Sequence, residues 1–177
     1  MKNKNDILLH ACCGICAGYP IEYLKNEGYN VIVYYYNPNI DTEEEFDKRL
    51  EALKTLCDKE VCPLIVEPYS HEEFLNHIKG LENEPEGGKR CPKCFELRLL
   101  QTHKKALELG ITHFTTTLPV SPHKNFEIIK CIGEKISSDF IPFNFKKADG
   151  FLKTNNIAKN LNLYRQNYCG CGLNRNL

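Results

Sequence analysis

Residues 6–36, DILLHACCGICAGYPIEYLKNEGYNVIVYYY, decide how this chain folds. Asp6–His10 is a short apolar run with polar flanks and reads as a buried strand. Val31–Tyr36 is rich in β-branched and aromatic residues and reads as a second strand. Between them Ala17–Asn26 reads as a helix that ends at Gly28. A strand, a helix and another strand in that order make parallel neighbours, because a parallel pair needs a helical crossover.

The pattern repeats outward from this unit. Asn37-Pro38-Asn39 breaks the chain, and Thr42 followed by Glu45 resembles a capping box opening a charged helix to about Lys59. Pro63–Glu67 reads as a third strand, His71–Leu81 as a helix and Glu82–Lys89 as a loop. Cys91-Pro92-Lys93-Cys94 opens the next helix, which runs to Gly110 with Pro92 in its first turn. Thr112–Thr117 is a fourth strand, Asn125–Ser137 a helix, Asp139–Phe143 a weaker fifth strand and Thr154–Leu161 a last helix. The alternation predicts an α/β fold with a parallel sheet and helices on both faces, whose ligands gather at the carboxyl ends of the strands. No internal repeat, low-complexity segment or linker interrupts residues 1–177, so one domain is expected.

Composition narrows the function. An apolar share of 42% with 26% charged residues is that of an ordinary soluble globular protein. Lysine plus arginine equals aspartate plus glutamate at 23 each, so any basic surface for nucleic acid must be local. No apolar run is long enough for a membrane span and the N-terminus lacks a signal-peptide pattern, so a cytoplasmic protein is expected. In that compartment cysteines stay reduced, which favours metal ligation or catalysis over structural disulfides.

Seven cysteines fall in three tight groups: Cys12, Cys13 and Cys16; Cys91 and Cys94; Cys169 and Cys171. Thiolates are soft metal ligands and redox nucleophiles, and core packing does not produce such grouping. The first group sits in the turn after the first strand, where three sulfurs and a single Gly14 argue against a phosphate cradle. Cys91 and Cys94 lie three apart at a helix start, where the helix dipole, Arg90 and Lys93 favour the thiolate. Cys169-Gly170-Cys171 offers two more ligands or a strained, easily reduced disulfide. Seven sulfurs exceed one structural zinc. An iron–sulfur cluster with three sulfurs left for a second metal or a thiol redox step fits the surplus, while zinc and metal-free thiol chemistry stay open. Cys57, Cys62 and Cys131 lie in or beside apolar segments and read as core residues.

At these residues the chain resembles the QueH family of epoxyqueuosine reductases, the cobalamin-free type. The matching stretches are HACCGIC, YYYNPNID, GKRCPKCFELRL, FTTTLPVSPHKN and LYRQNYCGC, in family order over roughly residues 7–171. The resemblance implies a single Rossmann-like (HUP-type) domain whose C-terminal segment, 162–177, folds back to bring its cysteines to the metal site. It implies reduction of the epoxide of epoxyqueuosine to give queuosine at the wobble position of tRNAs with GUN anticodons. A [4Fe-4S] cluster is expected on Cys12, Cys13, Cys91 and Cys94. Cys16, Cys169 and Cys171 are expected to form a second, mononuclear iron site or a redox-active pair that acts in catalysis. Asn37, Asn39, Ser121, Lys124, Asn125, Tyr164, Arg165 and Gln166 are substrate candidates on the same basis. The family usually has Ala-Pro where this chain has Gly14-Ile15, and serines where it has Asn155 and Ala158; every sulfur is spared.

Removing an epoxide oxygen consumes two electrons and two protons, so an electron donor is required, with ferredoxin or flavodoxin as the expected class. His10, Tyr164 and Tyr168 are proton-donor candidates, each with a plainer reading as a packed or backbone-satisfied side chain. Lys146, Lys147, Lys153, Arg165 and Arg175, interleaved with Phe143, Phe145, Phe151 and Tyr164, are the expected tRNA surface. Glu43, Glu44 and Glu45 read as a solvated helix face. The rival readings are a zinc-stapled nucleic-acid-binding module, a metal-free thiol oxidoreductase using the last cysteine pair, and an iron–sulfur reductase for a different modified base.

Overall fold

β1 (Asp6–His10) holds the centre of the fold, with β2 (Asn30–Tyr35) on one side and β4 (His113–Thr116) on the other. β3 (Leu64–Val66) extends the sheet beyond β2, giving the order β3-β2-β1-β4, all parallel. The computed structural model describes residues 5–173. Ile7, Leu8 and Leu9 are all fully buried, so both faces of the central strand are covered. That is why β1 is uniformly apolar rather than alternating.

The helices form two packed groups. α1 (Gly14–Asn26) packs against α2 (Glu43–Glu60) and α6 (Gly150–Asn160). α4 (Arg90–Leu109) packs against β1, β4, α3 (His71–His77) and α5 (Phe126–Ile136). The domain is therefore a single α/β unit with a four-stranded sheet flanked by helices.

Several boundaries differ from the sequence reading, each for a local reason. α1 begins at Gly14 rather than Ala17, because the Cys13 sulfur caps it by accepting from the Cys16 amide at 3.4 Å. The cysteine motif is thus the cap and first turn of a helix. α3 stops at His77 rather than Leu81, and Gly80 turns the chain away at φ +85°. The fifth strand does not form. Phe140 makes one bridge to Phe114, and Pro142, without an amide proton, ends the pairing. α6 starts at Gly150, before Thr154.

Thr42 caps α2 by accepting from the Glu45 amide at 3.2 Å. The Glu45 carboxylate does not complete a capping box. It is buried and pairs with Arg49 at 2.7 Å, which corrects its reading as a solvated residue. Cys57 and Cys62 are buried as expected, whereas Cys131 is exposed on α5. Gly14 is required by packing: a Cβ there would stand 2.7 Å from the Ala52 backbone, so α1 and α2 touch at this point.

Candidate functional site

The carboxyl end of β1 delivers the chain into Ala11-Cys12-Cys13, and the first turn of α1 carries Cys16 back over the same spot. The three sulfurs lie within 4.8 Å of one another. Cys12 and Cys13 stand 3.9 Å apart at sulfur. Thr117, just past β4, binds this turn twice: its hydroxyl accepts from the Cys12 amide at 3.1 Å and donates to the Cys12 sulfur at 3.4 Å. Hydrogen bonds from Cys13 and Cys16 favour the Cys12 thiolate and outweigh its burial, so its pKa falls well below the usual thiol range. The same contact with Cys12 pushes Cys13 up to about 11 and raises Cys16 well above the ordinary value. Sharing of this kind within a buried thiol group is relieved when a cation takes all the sulfurs.

The other four grouped cysteines meet elsewhere. Cys91 and Cys94, on the first turn of α4, line a cavity of about 80 Å³ together with Cys169 and Cys171. The Cys169 and Cys171 sulfurs are 3.4 Å apart. Contact with Cys169 lowers Cys171 to about 6, while Cys169 rises because of that contact and its burial. Arg90 is 1% exposed and donates to the Cys171 sulfur at 3.7 Å and to the carbonyls of Glu82 and Glu84 at 2.9 and 2.5 Å. Arg98, also buried, borders the same cavity.

The seven sulfurs fall into two groups in space. Cys16 groups with Cys12 and Cys13, because helix α1 begins among them. Cys91 and Cys94 group with Cys169 and Cys171, because the C-terminal segment crosses over the start of α4. Arg49 holds that segment: its guanidinium donates to the Tyr168 and Cys169 carbonyls at 3.2 and 3.3 Å and lies 5.1 Å over the Tyr168 ring. The Asp41 amide donates to the Gly170 carbonyl at 2.8 Å, and the Tyr168 hydroxyl donates to Asp41 at 2.8 Å. Gly170 turns at φ +112° against Arg49, a conformation that L side chains rarely adopt.

A second cavity, about 360 Å³, opens beside the first and is walled by Cys12, Cys16 and Cys169. The two share Asn39, Glu86, Arg98, His123, Lys124 and Cys169. Ser121, Arg165, Gln166 and Tyr168 border the second cavity, and Asn125 borders the first while capping α5.

Besides Cys13, three candidates lie off these walls. His10 is fully buried, with its ring nitrogens 2.9 Å from the Thr116 hydroxyl and 3.0 Å from the Tyr36 carbonyl; burial and then the charge of Arg98 lower its pKa to about 4. It is a neutral brace under the cysteine turn. Asn37 is also a brace, donating to the Ala11 carbonyl at 2.9 Å and accepting from Arg98 at 3.4 Å. Tyr164 turns away and donates to Glu45 at 2.7 Å. Arg90 was expected from sequence to favour the nearby thiolates, whereas Arg49, Arg98 and Thr117 were not singled out for the site. The arginines carried a signal, since each stands in or near a cysteine motif or on a charged helix yet is buried.

Members of the expected basic surface make contacts of their own. Lys153 lies 4.9 Å over the Tyr19 ring, Lys146 donates to the Lys124 carbonyl, and Arg165 donates to Asn155 at 2.8 Å. Arg175 lies outside the described residues.

Comparison with known proteins places this site in a family. The family model described as epoxyqueuosine reductase QueH matches residues 7–176. The chain belongs to the epoxyqueuosine reductase QueH family. The QueH of Streptococcus pyogenes serotype M1 is 35% identical over 178 residues, covering 95% of this chain and 69% of that protein. The QueH of Dehalococcoides mccartyi is 36% identical over 168 residues, covering 93% and 90%. Among solved structures, the U34-tRNA thiolase NcsA from Methanococcus maripaludis, with its [4Fe-4S] cluster, superposes with a TM-score of 0.58 at 16% identity. That match covers 96% of this chain and 62% of the thiolase, and it shows the shared fold. QueH membership does not favour the zinc-stapled module, the metal-free thiol enzyme or a reductase for another base. Among the described residues no helix is long and apolar enough to cross a membrane.

The donor sets suit metal. Thiolates on one tetrahedral metal with ~2.3 Å bonds stand roughly 3.8 Å apart. The 3.9 Å Cys12–Cys13 separation matches one edge of such a site. Four cysteines around one cavity match the ligand count of a four-iron cluster, in which each iron takes its own thiolate.

Proposed function

We infer that this chain reduces epoxyqueuosine to queuosine in tRNA. The observation that carries the reading is the convergence of six sulfurs on two adjoining cavities with a common wall, in a chain of the QueH family. The reaction breaks both C–O bonds of the epoxide and leaves an alkene. Two electrons and two protons enter, and the oxygen departs as water. The tRNA would carry a GUN anticodon, the electrons would come from a small redox protein of the ferredoxin or flavodoxin class, and the setting would be the cytoplasm.

Cys91, Cys94, Cys169 and Cys171 would hold a [4Fe-4S] cluster that supplies single electrons, and Cys12, Cys13 and Cys16 a single iron that supplies a Lewis-acidic position. Three thiolates leave the fourth tetrahedral position open, the mark of a catalytic rather than a structural site. Cys12 and Cys16 face the larger cavity, so the modified base enters there. Arg90 and Arg98 hold positive charge beside the four-cysteine set and offset the charge of its thiolates.

Lys124 is the one lysine on the walls of both cavities among the described residues. Its ammonium donates a proton to the departing oxygen. Tyr168, fixed by Asp41, closes the wall formed by the C-terminal segment. Gln166 and Asn39 carry buried side-chain oxygens without a hydrogen-bond partner among the described residues, and they stand on the side where the base enters.

The test is anaerobic purification with iron and acid-labile sulfide measured per chain, followed by incubation with epoxyqueuosine tRNA and a strong reductant. Iron in excess of sulfide, a second Mössbauer signal and loss of one oxygen mass from the modified nucleoside support the reading. Zinc without sulfide, or an unchanged nucleoside, overturns it. Lys124→Met should keep both metal signals while slowing turnover.

A further inference from the structure

A third cavity, about 460 Å³, lies apart from the cysteines and has no part in the chemistry above. Its volume falls within the ~300–1,000 Å³ of ordinary ligand sites. Tyr19 and Tyr23 line it from α1 and Phe126 and Lys130 from α5, each pair one helical turn apart. Phe143, Phe145 and Lys147 come from the loop before α6. Phe143 and Phe145 stack at 5.6 Å and 25°, and Tyr23 meets both edge-on at 5.7 and 5.9 Å. Tyr19 and Phe145 are buried, whereas Tyr23, Phe126 and Phe143 keep part of their rings open.

Two features join this cavity to the active site. α1 serves both: Cys16 faces the larger cysteine cavity, and Tyr19 and Tyr23 follow it by ~4.5 and ~10.5 Å along the helix axis. The second link is Lys146, whose ammonium donates to the Lys124 carbonyl, two residues before Phe126. Burial and the nearby Lys124 charge lower the Lys146 pKa. The bridge loop is also held in an unusual shape, with Ala148 and Asp149 both left-handed at φ 53° and 58°. Strain of this kind persists where surrounding structure imposes it.

We propose that this aromatic cavity binds a nucleotide next to the modified one, its base stacked on Phe126, Phe143 and Tyr23 and its phosphate drawn to Lys130 and Lys147. Rings with open faces beside a track of lysines are the combination that holds single-stranded RNA, because stacking accepts any base and the cations follow the backbone. A substrate base pulled into the cysteine cavity must leave its stack. The neighbouring nucleotide then loses a stacking partner, and this cavity replaces it. The inference rests on the reading that the substrate is a base in tRNA.

The test uses the metal-loaded protein and an anticodon stem-loop that carries the epoxide, with 2-aminopurine placed in turn at each position flanking the wobble base. The chain has no tryptophan, so the probe is read against a clean background. In wild type one position should be quenched on binding. Phe126→Ala should abolish that quenching and raise KM about 5- to 150-fold with kcat unchanged, the span expected for one stacked base. Lys130→Ala with Lys147→Ala should lower the salt slope of binding by about 1.4, at ~0.7 per single-strand phosphate contact. Quenching, KM and slope equal to wild type in both variants would overturn the cavity assignment while leaving the tRNA reading standing. No turnover of the stem-loop by wild type would overturn the functional reading itself, and this inference with it.

Discussion

The two cysteine sets of this molecule are built in opposite ways. Cys12, Cys13 and Cys16 converge because they occupy five residues at the start of one helix, with Cys13 itself as the cap. Cys91, Cys94, Cys169 and Cys171 converge only because the C-terminal segment folds over α4, and 81 residues separate Arg90 from the Cys171 sulfur it contacts. The first set is local and keeps its shape with α1. The second depends on Arg49, Asp41 and Gly170 holding a distant strap in place. A local site resists perturbation elsewhere in the fold, while an assembled one couples the metal to global stability.

The largest contrast should come from removing one sulfur of each set. Cys94→Ala should abolish turnover and remove most acid-labile sulfide, whereas Cys16→Ala should abolish turnover and leave the sulfide and most cluster absorbance. Parallel iron, sulfide and Mössbauer measurements check this. Equal sulfide loss in both would mean that the seven sulfurs serve one centre.

Next is Arg49→Met, which leaves buried Glu45 without its partner and frees the strap. Breaking a buried pair from one side costs about 3–5 kcal/mol. Urea unfolding should show that loss, and Glu45→Gln in the same chain should restore part of it. Cluster retention should fall while the iron at Cys12, Cys13 and Cys16 stays; loss of both together would erase the distinction.

Gly14→Ala strikes the local set instead. A Cβ 2.7 Å from the Ala52 backbone must part α1 from α2, an overpacking cost of about 1–3 kcal/mol. Thermal melts and the mononuclear iron signal should both respond, with sulfide unchanged. The smallest effect belongs to Thr42→Ala, which removes a cap worth about 0.5–2 kcal/mol from the helix that carries Arg49. Denaturant titration should detect it with activity intact; a loss of cluster from so small a change would show the strap to be more fragile than its contacts indicate.

β1 and β2 were legible because buried parallel strands are continuous runs of apolar and β-branched residues, and α2 because Thr42 caps its start. Asp139–Phe143 misled for the same reason: its residues suit a strand, but Pro142 cannot pair. Glu45 misled by charge, since a carboxylate can be buried when a cation such as Arg49 pairs with it.

From sequence came the α/β class and the seven grouped sulfurs, which follow from residue type, spacing and order, while the family chemistry came through the resemblance of the ordered motifs. Which sulfurs stand together in space was decided by tertiary structure alone. Spacing along a chain constrains neighbours within a helical turn, whereas contacts such as those of Arg49 with Tyr168 and Cys169 exist only after distant segments have packed. The same limit held for His10, which stood beside the motif in sequence and lies sealed beneath it in the fold.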